Sequence, residues 1–365
     1  MTPKERLLAV FDRIEPDVVP FAPDLTYYFD AAVIDGKIRV GSDPIEREKA
    51  LVNFHIERRC IPYYLYGNGV FDFVYDGVEV LTRREGDRSV TEYRVNGRTI
   101  CDVREYHRVS YSWAPVKYAV ETRADLEVLL EFVRRTRCVP NVRRWVEAND
   151  RLGELGVVTC MAPRSPLPAM IVDWSGVEHS IFLMADEPEL FAEVLEAIDR
   201  ANDAAFDVIG GSPVRLVHFA DNLTGLTFAG LWDRYLAEYY HRRVDQLHAA
   251  GKVCASHLDG TLLGMLGRMA RTGLDAIESI TPAPVGDLTL AEVERDLAGF
   301  DTILWGGIPG AMFCRPFGWE HVQRQVDELL NLHRRGRRII VASADQVPPD
   351  ADITLVQRVG AYLGS

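Results

Sequence analysis

The stretch "GKVCASHLDGTLLGMLGRMARTGLDAIESI" (residues 251–280) holds two short, mostly apolar runs, 252–257 and 274–280, around a helix-like segment at 261–271. Strands buried on both faces of a parallel sheet read this way, as continuous apolar runs rather than a polar–apolar alternation. A run, a helical crossover and a second run make one βαβ unit, so the stretch predicts a parallel sheet of the α/β class. The first run ends in His257-Leu258-Asp259, two polar groups placed where a strand gives way to its loop.

Working outward, the same rhythm recurs. Apolar runs at 155–162, 214–220, 302–307 and 338–344 alternate with helix-like segments at 188–208, 229–249, 289–298 and 319–335. Two further runs, 17–23 and 60–67, precede them, separated by a helix-like 43–59. Eight strand–helix units in one chain of 365 residues predict a (β/α)8 TIM barrel. An open doubly wound sheet would also alternate, but no G-x-G-x-x-G follows a strand here.

One segment breaks the rhythm. "VYDGVEVLTRREGDRSVTEYRVNGRTICDVREYH" (74–107) alternates polar and apolar residues and is broken at Asp76-Gly77, Gly86-Asp87 and Asn96-Gly97. Such breaks are the turn chemistry of antiparallel β-hairpins. They predict a β-meander insertion, residues 70–115, between barrel strands two and three, within a single barrel domain spanning 1–365. A helix-like 122–148 then returns the chain to the barrel.

Composition narrows the function. The formal net charge is −13, whereas nucleic acid and anionic membranes both call for a basic surface. Six cysteines are scattered with no C-x-x-C pair, which fits a reducing cytoplasm better than a disulfide framework. No apolar run approaches the ~20 residues of a membrane span, and the opening "MTPKERLLAVFDRIEPD" is not patterned as a signal peptide. The expectation is a cytoplasmic enzyme acting on a small molecule.

Barrel chemistry sits at the C-terminal ends of the strands. The polar residues expected there are Asp24, Tyr27 and Tyr28 after the first strand, Arg164 and Ser165 after the third, and His218, Asp221 and Asn222 at the fourth. His257 and Asp259 follow at the fifth, Glu278 in the sixth and Asp345 after the eighth. Carboxylates gathered at one mouth repel one another in a low dielectric, and a divalent cation is the usual means of keeping them ionised. Each residue also has a plainer reading. Asp259 is placed to cap a helix, His257 to make a buried hydrogen bond, Asp221 and Asn222 to form a turn, and Asp345 to shape a loop. Glu278 lies inside an apolar run and needs a partner. His218 reads as facing the barrel wall, and Cys314 as structural.

These segments, in this order, resemble the uroporphyrinogen decarboxylase superfamily, (β/α)8 proteins that include zinc-dependent corrinoid and coenzyme M methyltransferases. "TPKERLLAVFDRIEPDVVPF" (2–21) is similar to the superfamily's opening, and "PVKYAVETRADLEVLLEFV" (115–133) to the segment after the insertion in the methyltransferase branch. "HFADNLTGLTFAGLWDRYL" (218–236), the opening stretch 251–280 and "ASADQVPPDADITLVQRV" (342–359) resemble its later strands. True decarboxylases carry an arginine-containing segment after strand one. This chain has "APDLTYYFD" (22–30) there, without an arginine, which weighs against porphyrinogen decarboxylation. The methyltransferase branch holds zinc through His-x-Cys and a distant Cys. Here those places read His257, Asp259 and Asp345, so both thiolates are replaced by carboxylates.

The resemblance implies a metal-dependent methyltransferase with His257, Asp259 and Asp345 on zinc or a similar divalent ion. Glu278 would stand as a further ligand or just behind, with Asp221 or Tyr27 handling a proton. Asp24, Tyr28, Arg164 and Asn222 would line the substrate. Donors that are mostly oxygen make a harder site than thiolates, suited to polarising an oxygen-bound group. The methyl group would come from a small methoxylated or N-methylated compound and pass to a corrinoid on a partner protein. Two rivals stand beside this reading: a metal-assisted decarboxylase or lyase in which Arg164 grips a carboxylate, and a barrel that binds a small ligand without turnover. Edge strands of the insertion offer a surface for a homodimer.

Overall fold

A computed structural model describes residues 1–64 and 69–364, and the chain forms two compact units. One comprises residues 70–142 and 162–212; the other comprises 1–69, 143–161 and 213–365.

The first unit carries six strands: β1 (Phe71–Tyr75), β2 (Val78–Glu85), β3 (Arg88–Val95), β4 (Arg98–His107), β5 (Ser112–Lys117) and β6 (Thr136–Pro140). β2 to β5 form the expected antiparallel meander. Asn96 and Gly97 both have positive φ, +51° and +74°, as the two-residue turn between β3 and β4 requires. The first turn, Asp76-Gly77, does something else. β1 pairs antiparallel with β6, so this turn passes the chain from one sheet to another instead of closing a hairpin. Residues 122–148, expected as one helix, are interrupted by β6, which separates the helices Arg123–Arg134 and Val142–Leu152. The interruption has a local cause: Thr136 and Val139 favour a strand, and Pro140 lacks the N–H that a continuing helix would use. Phe132 centres the core of this unit, with ring centroids 4.7 Å from Tyr75, 5.5 Å from Tyr93 and 5.4 Å from Trp174.

The second unit is the barrel. β7 (Cys160–Met161), β8 (Leu216–Leu223), β9 (Val253–Leu258), β10 (Ala276–Ile280), β11 (Ile303–Pro309) and β12 (Ile339–Ala344) lie parallel in chain order. Two extended segments close the ring by backbone bonds. Val341 N donates to Pro20 O and Ala22 N to Val341 O; Ile61 N donates to Phe21 O, and Val157 N to Pro62 O. The first two expected strands are therefore present as sparsely bonded staves rather than full ladders. Pro20, Pro23 and Pro62 explain this, because each removes a ladder donor. Residues 65–67 of the second expected strand lie outside the described residues.

Inward-facing Val157, Leu216, Val253, Ala255, Ala276, Ile303, Trp305, Ile340 and Ala342 fill the barrel, joined by Leu7, Val10 and Phe11 of the helix Pro3–Phe11. Each of these three is 4% exposed or less, and burying a large apolar side chain contributes about 1.5–3 kcal/mol. The helix begins with a capping box between Thr2 and Glu5 and a proline at its first turn, which fixes where it enters. Among the described residues, no helix is long and apolar enough to cross a membrane.

Candidate functional site

Alternation along three neighbouring strands builds the site. Leu216 and His218 share a parity in β8, as do Val253, Ala255 and His257 in β9 and Ala276 and Glu278 in β10. In each strand the earlier positions fill the core, so the last one points into the barrel above it. The register sets Glu278 beside His257.

Glu278 is the centre of the cluster, 1% exposed. His257 Nδ1 lies 2.7 Å from its Oε2 and His218 Nε2 lies 3.2 Å from the same oxygen, while Tyr63 donates its hydroxyl to Oε1 at 2.9 Å. Tyr64 reaches the other nitrogen of His218 at 3.3 Å. Burial alone would raise the pKa of Glu278, but the charges and hydrogen bonds of His257 and His218 outweigh it and hold the carboxyl well below its ordinary range. Burial likewise works to lower the pKa of His257. Glu278, with smaller contributions from Asp259 and Asp345, reverses that and lifts the imidazole to about 9. Burial pushes the Tyr63 hydroxyl well up, helped by Glu278, so it stays a neutral donor.

The second nitrogen of His257 faces the loops. Nε2 stands 4.0 Å from Asp259 and 3.9 Å from Asp345, and one donor atom from each residue falls within 4.8 Å of the others. Burial pushes Asp345 up to about 6; Asp259, Glu278 and Asp24 add to the rise, against the pull of His257. This occurs although 54% of the Asp345 side chain is open to solvent. A carboxyl raised in part by its carboxylate neighbours fits a divalent cation, which would relieve the repulsion. An imidazole anchored at one nitrogen and offered at the other is how a metal-ligating histidine is held. The donor set of one nitrogen and two carboxylates therefore fits the ion that the sequence implied.

A second group, His248, Cys254 and Asp275, also brings potential ligands together. There the carboxylate already accepts from Cys254 N at 2.7 Å and pairs with His248 Nε2 at 2.8 Å. Burial pushes the Cys254 thiol well up, which disfavours a thiolate ligand. This group reads as a latch tying the start of β9 to the start of β10.

The other expected residues are placed as follows. Asp24 is buried and accepts from Thr26 N at 2.8 Å and Gln346 Nε2 at 2.9 Å, so it shapes the loop after the first stave. Tyr27 is half-buried in the helix Thr26–Ile34, and Tyr28 stacks on Phe54 at 5.9 Å. Asp221 has no accessible surface and accepts from Tyr240 at 2.6 Å, whose hydroxyl also meets Ser256 at 3.1 Å. Tyr240 belongs to the helix Ala237–Ala249 packed behind the strands, so the Asp221 carboxylate serves a strand–helix joint. Asn222 is exposed at φ +51°. Arg164 lies in the other unit, where it pairs with Asp173 at 3.0 Å. His218, expected on the wall, instead points inward, and Tyr63 and Tyr64 join it unforeseen.

With this geometry established, comparisons with known proteins place the chain. The uroporphyrinogen decarboxylase (URO-D) family model matches residues 118–362, well over half the length, and the chain belongs to that family. Among solved structures, a methyltransferase from Methanosarcina mazei superposes with a TM-score of 0.61 over 100% of this chain and 98% of its own, at 14% identity. That likeness is one of fold. A comparison with curated proteins found no match.

Proposed function

We propose that this member of the family is a metal-dependent methyltransferase, moving a methyl group from a small methoxylated or N-methylated compound to a corrinoid carried by a separate protein. The observation that supports it is the two-sided engagement of His257, with Nδ1 on Glu278 at 2.7 Å and Nε2 facing Asp259 and Asp345. A divalent cation held by these three, zinc in this reading, supplies Lewis acidity toward the atom that gives up the methyl group. The remaining work falls to the chain. Glu278 keeps the proton of His257 on Nδ1, leaving Nε2 as the free ligand atom. Tyr63 and His218 hold Glu278 in place and ionised. Tyr27, beside the loop that Asp24 shapes, delivers or orients the proton taken up by the departing group, while Tyr28 and Asn222 contribute to the substrate's surroundings. All six cysteines are free, in keeping with a cytoplasmic setting.

The test has two stages. Protein purified without chelator or added metal is assayed for metal, alongside His257→Ala and Asp259→Ala. About one equivalent in the wild type, lost in both variants, supports the centre. Metal-loaded protein is then incubated with cob(I)alamin and a panel of methoxylated aromatics and methylamines. Failure of methylcobalamin to appear with any of them would sink the methyltransferase reading, and carbon dioxide release without corrinoid would replace it with a lyase.

A further inference from the structure

We propose that Ser279 is a positioning residue for Asp345, brought into reach by a left-handed kink that lets two consecutive residues of one strand serve the same site. The inference rests on the metal-centre reading above. Successive side chains of a strand face opposite sides. With Glu278 pointing into the barrel, Ser279 belongs on the outer face. Instead its hydroxyl accepts from the backbone N–H of Asp345. The backbone makes this possible, because Ser279 sits at φ +70°. For a residue with a Cβ this conformation is strained and persists only where the surroundings enforce it.

The surroundings are built for the kink. The register between β10 and β11 slips between Ile277 and Ile280. Opposite the slip stands Gly306 at φ +131°, where a Cβ would lie 2.7 Å from Ile280 N and 2.9 Å from Ile280 O. Thr281 braces the kink from the other side by donating its hydroxyl to Ser279 O at 2.9 Å. Asp345 is itself left-handed, at φ +57°. Its N–H is held by Ser279, and its C=O accepts from the Ser343 hydroxyl at 3.1 Å. Both serines have no accessible surface. Core packing does not explain this clamp, since the side chain it fixes is half open to solvent. What the clamp fixes is the aim of one carboxylate, 3.9 Å from His257 Nε2.

The experiment titrates Co2+ into chelator-treated full-length protein, following the visible absorption bands. It compares wild type, Ser279→Gly, Ser279→Ala, Asp345→Ala and His257→Ala, and measures the metal-free melting temperature of each. Ser279→Gly sheds the left-handed strain along with the hydroxyl. It is expected to melt close to wild type, to bind Co2+ roughly 10–100-fold more weakly, and to give a spectrum shifted toward that of Asp345→Ala. Ser279→Ala is expected to lose affinity and also to melt lower, because it keeps the strain without the bond. Wild-type affinity and spectrum in Ser279→Gly would overturn the proposal and leave the metal centre standing. A wild type that binds no more Co2+ than His257→Ala would overturn the metal centre, and the proposal with it.

Discussion

Glu278 shows how a buried carboxylate is kept charged, and the sign of its effect can be worked out. In metal-free protein His257 titrates near 9, above its ordinary 6.5. It therefore contributes stability that is complete below pH 6.5 and is lost as pH rises through 9. Glu278 is depressed below its ordinary 4.5, so its contribution is present above that pH and fades in acid. Chelator-treated protein should accordingly melt at steadily lower temperature from pH 6.5 to beyond 9, and Glu278→Gln should flatten that slope. An unchanged slope in the variant would show that the pair is not the titrating element. Metal binding runs the other way: Nε2 must shed its proton, so apparent affinity should climb with pH toward about 9. The same substitution should weaken binding by roughly 10–100-fold, read by competition with a chromophoric chelator. From the sequence, the grouping of His257, Asp259 and Asp345 was legible because the C-terminal ends of barrel strands converge on one mouth. His218 was not, because a parallel strand is apolar on both faces and parity alone does not say which face is inside.

At the scale of elements, the kink in β10 and the turns of the meander make opposite demands on glycine. Gly306 must lack a Cβ because the neighbouring strand's backbone fills the space. Gly306→Ala should cost about 3 kcal/mol or more in denaturant unfolding. A loss under 1 kcal/mol would mean that β10 relaxes and that the kink is not enforced. Gly97 meets nothing within 4 Å and is constrained only by its φ of +74°. Gly97→Ala should therefore cost only about 1 kcal/mol, with the fold kept. The sequence foretold Asn96-Gly97 as a hairpin correctly and misassigned Asp76-Gly77, since turn chemistry names a reversal but not the strand's partner. β6 was hidden for a related reason: five residues carry too little periodicity to stand out from flanking helices.

At the scale of the molecule, the barrel is an unequal ring. β8 to β12 are laddered, whereas the staves at 20–24 and 61–64 are held by few bonds, for want of proline N–H groups. Amide exchange should follow that division. Ile61 and Val157, which close the ring where backbone bonds are few, should exchange on the order of tenfold or more faster than Leu304 and Trp305 in β11. Equal protection would mean that the ring opens only as a whole. The alternation of eight apolar runs made the barrel readable from the sequence. That two of its members are staves rather than ladders followed from proline positions the apolar pattern does not weigh.

The opening helix turns that ring into a vessel with a stopper. Phe11 packs edge-on against Trp305 at 6.1 Å, Trp305 lies 4.5 Å from Tyr63, and Tyr63 holds Glu278. The floor of the vessel is therefore continuous with the group that orients His257. On the side away from that floor, the free face of His257 looks toward the loops that carry Asp259 and Asp345, so whatever binds there would stand on a base braced from the opening helix upward.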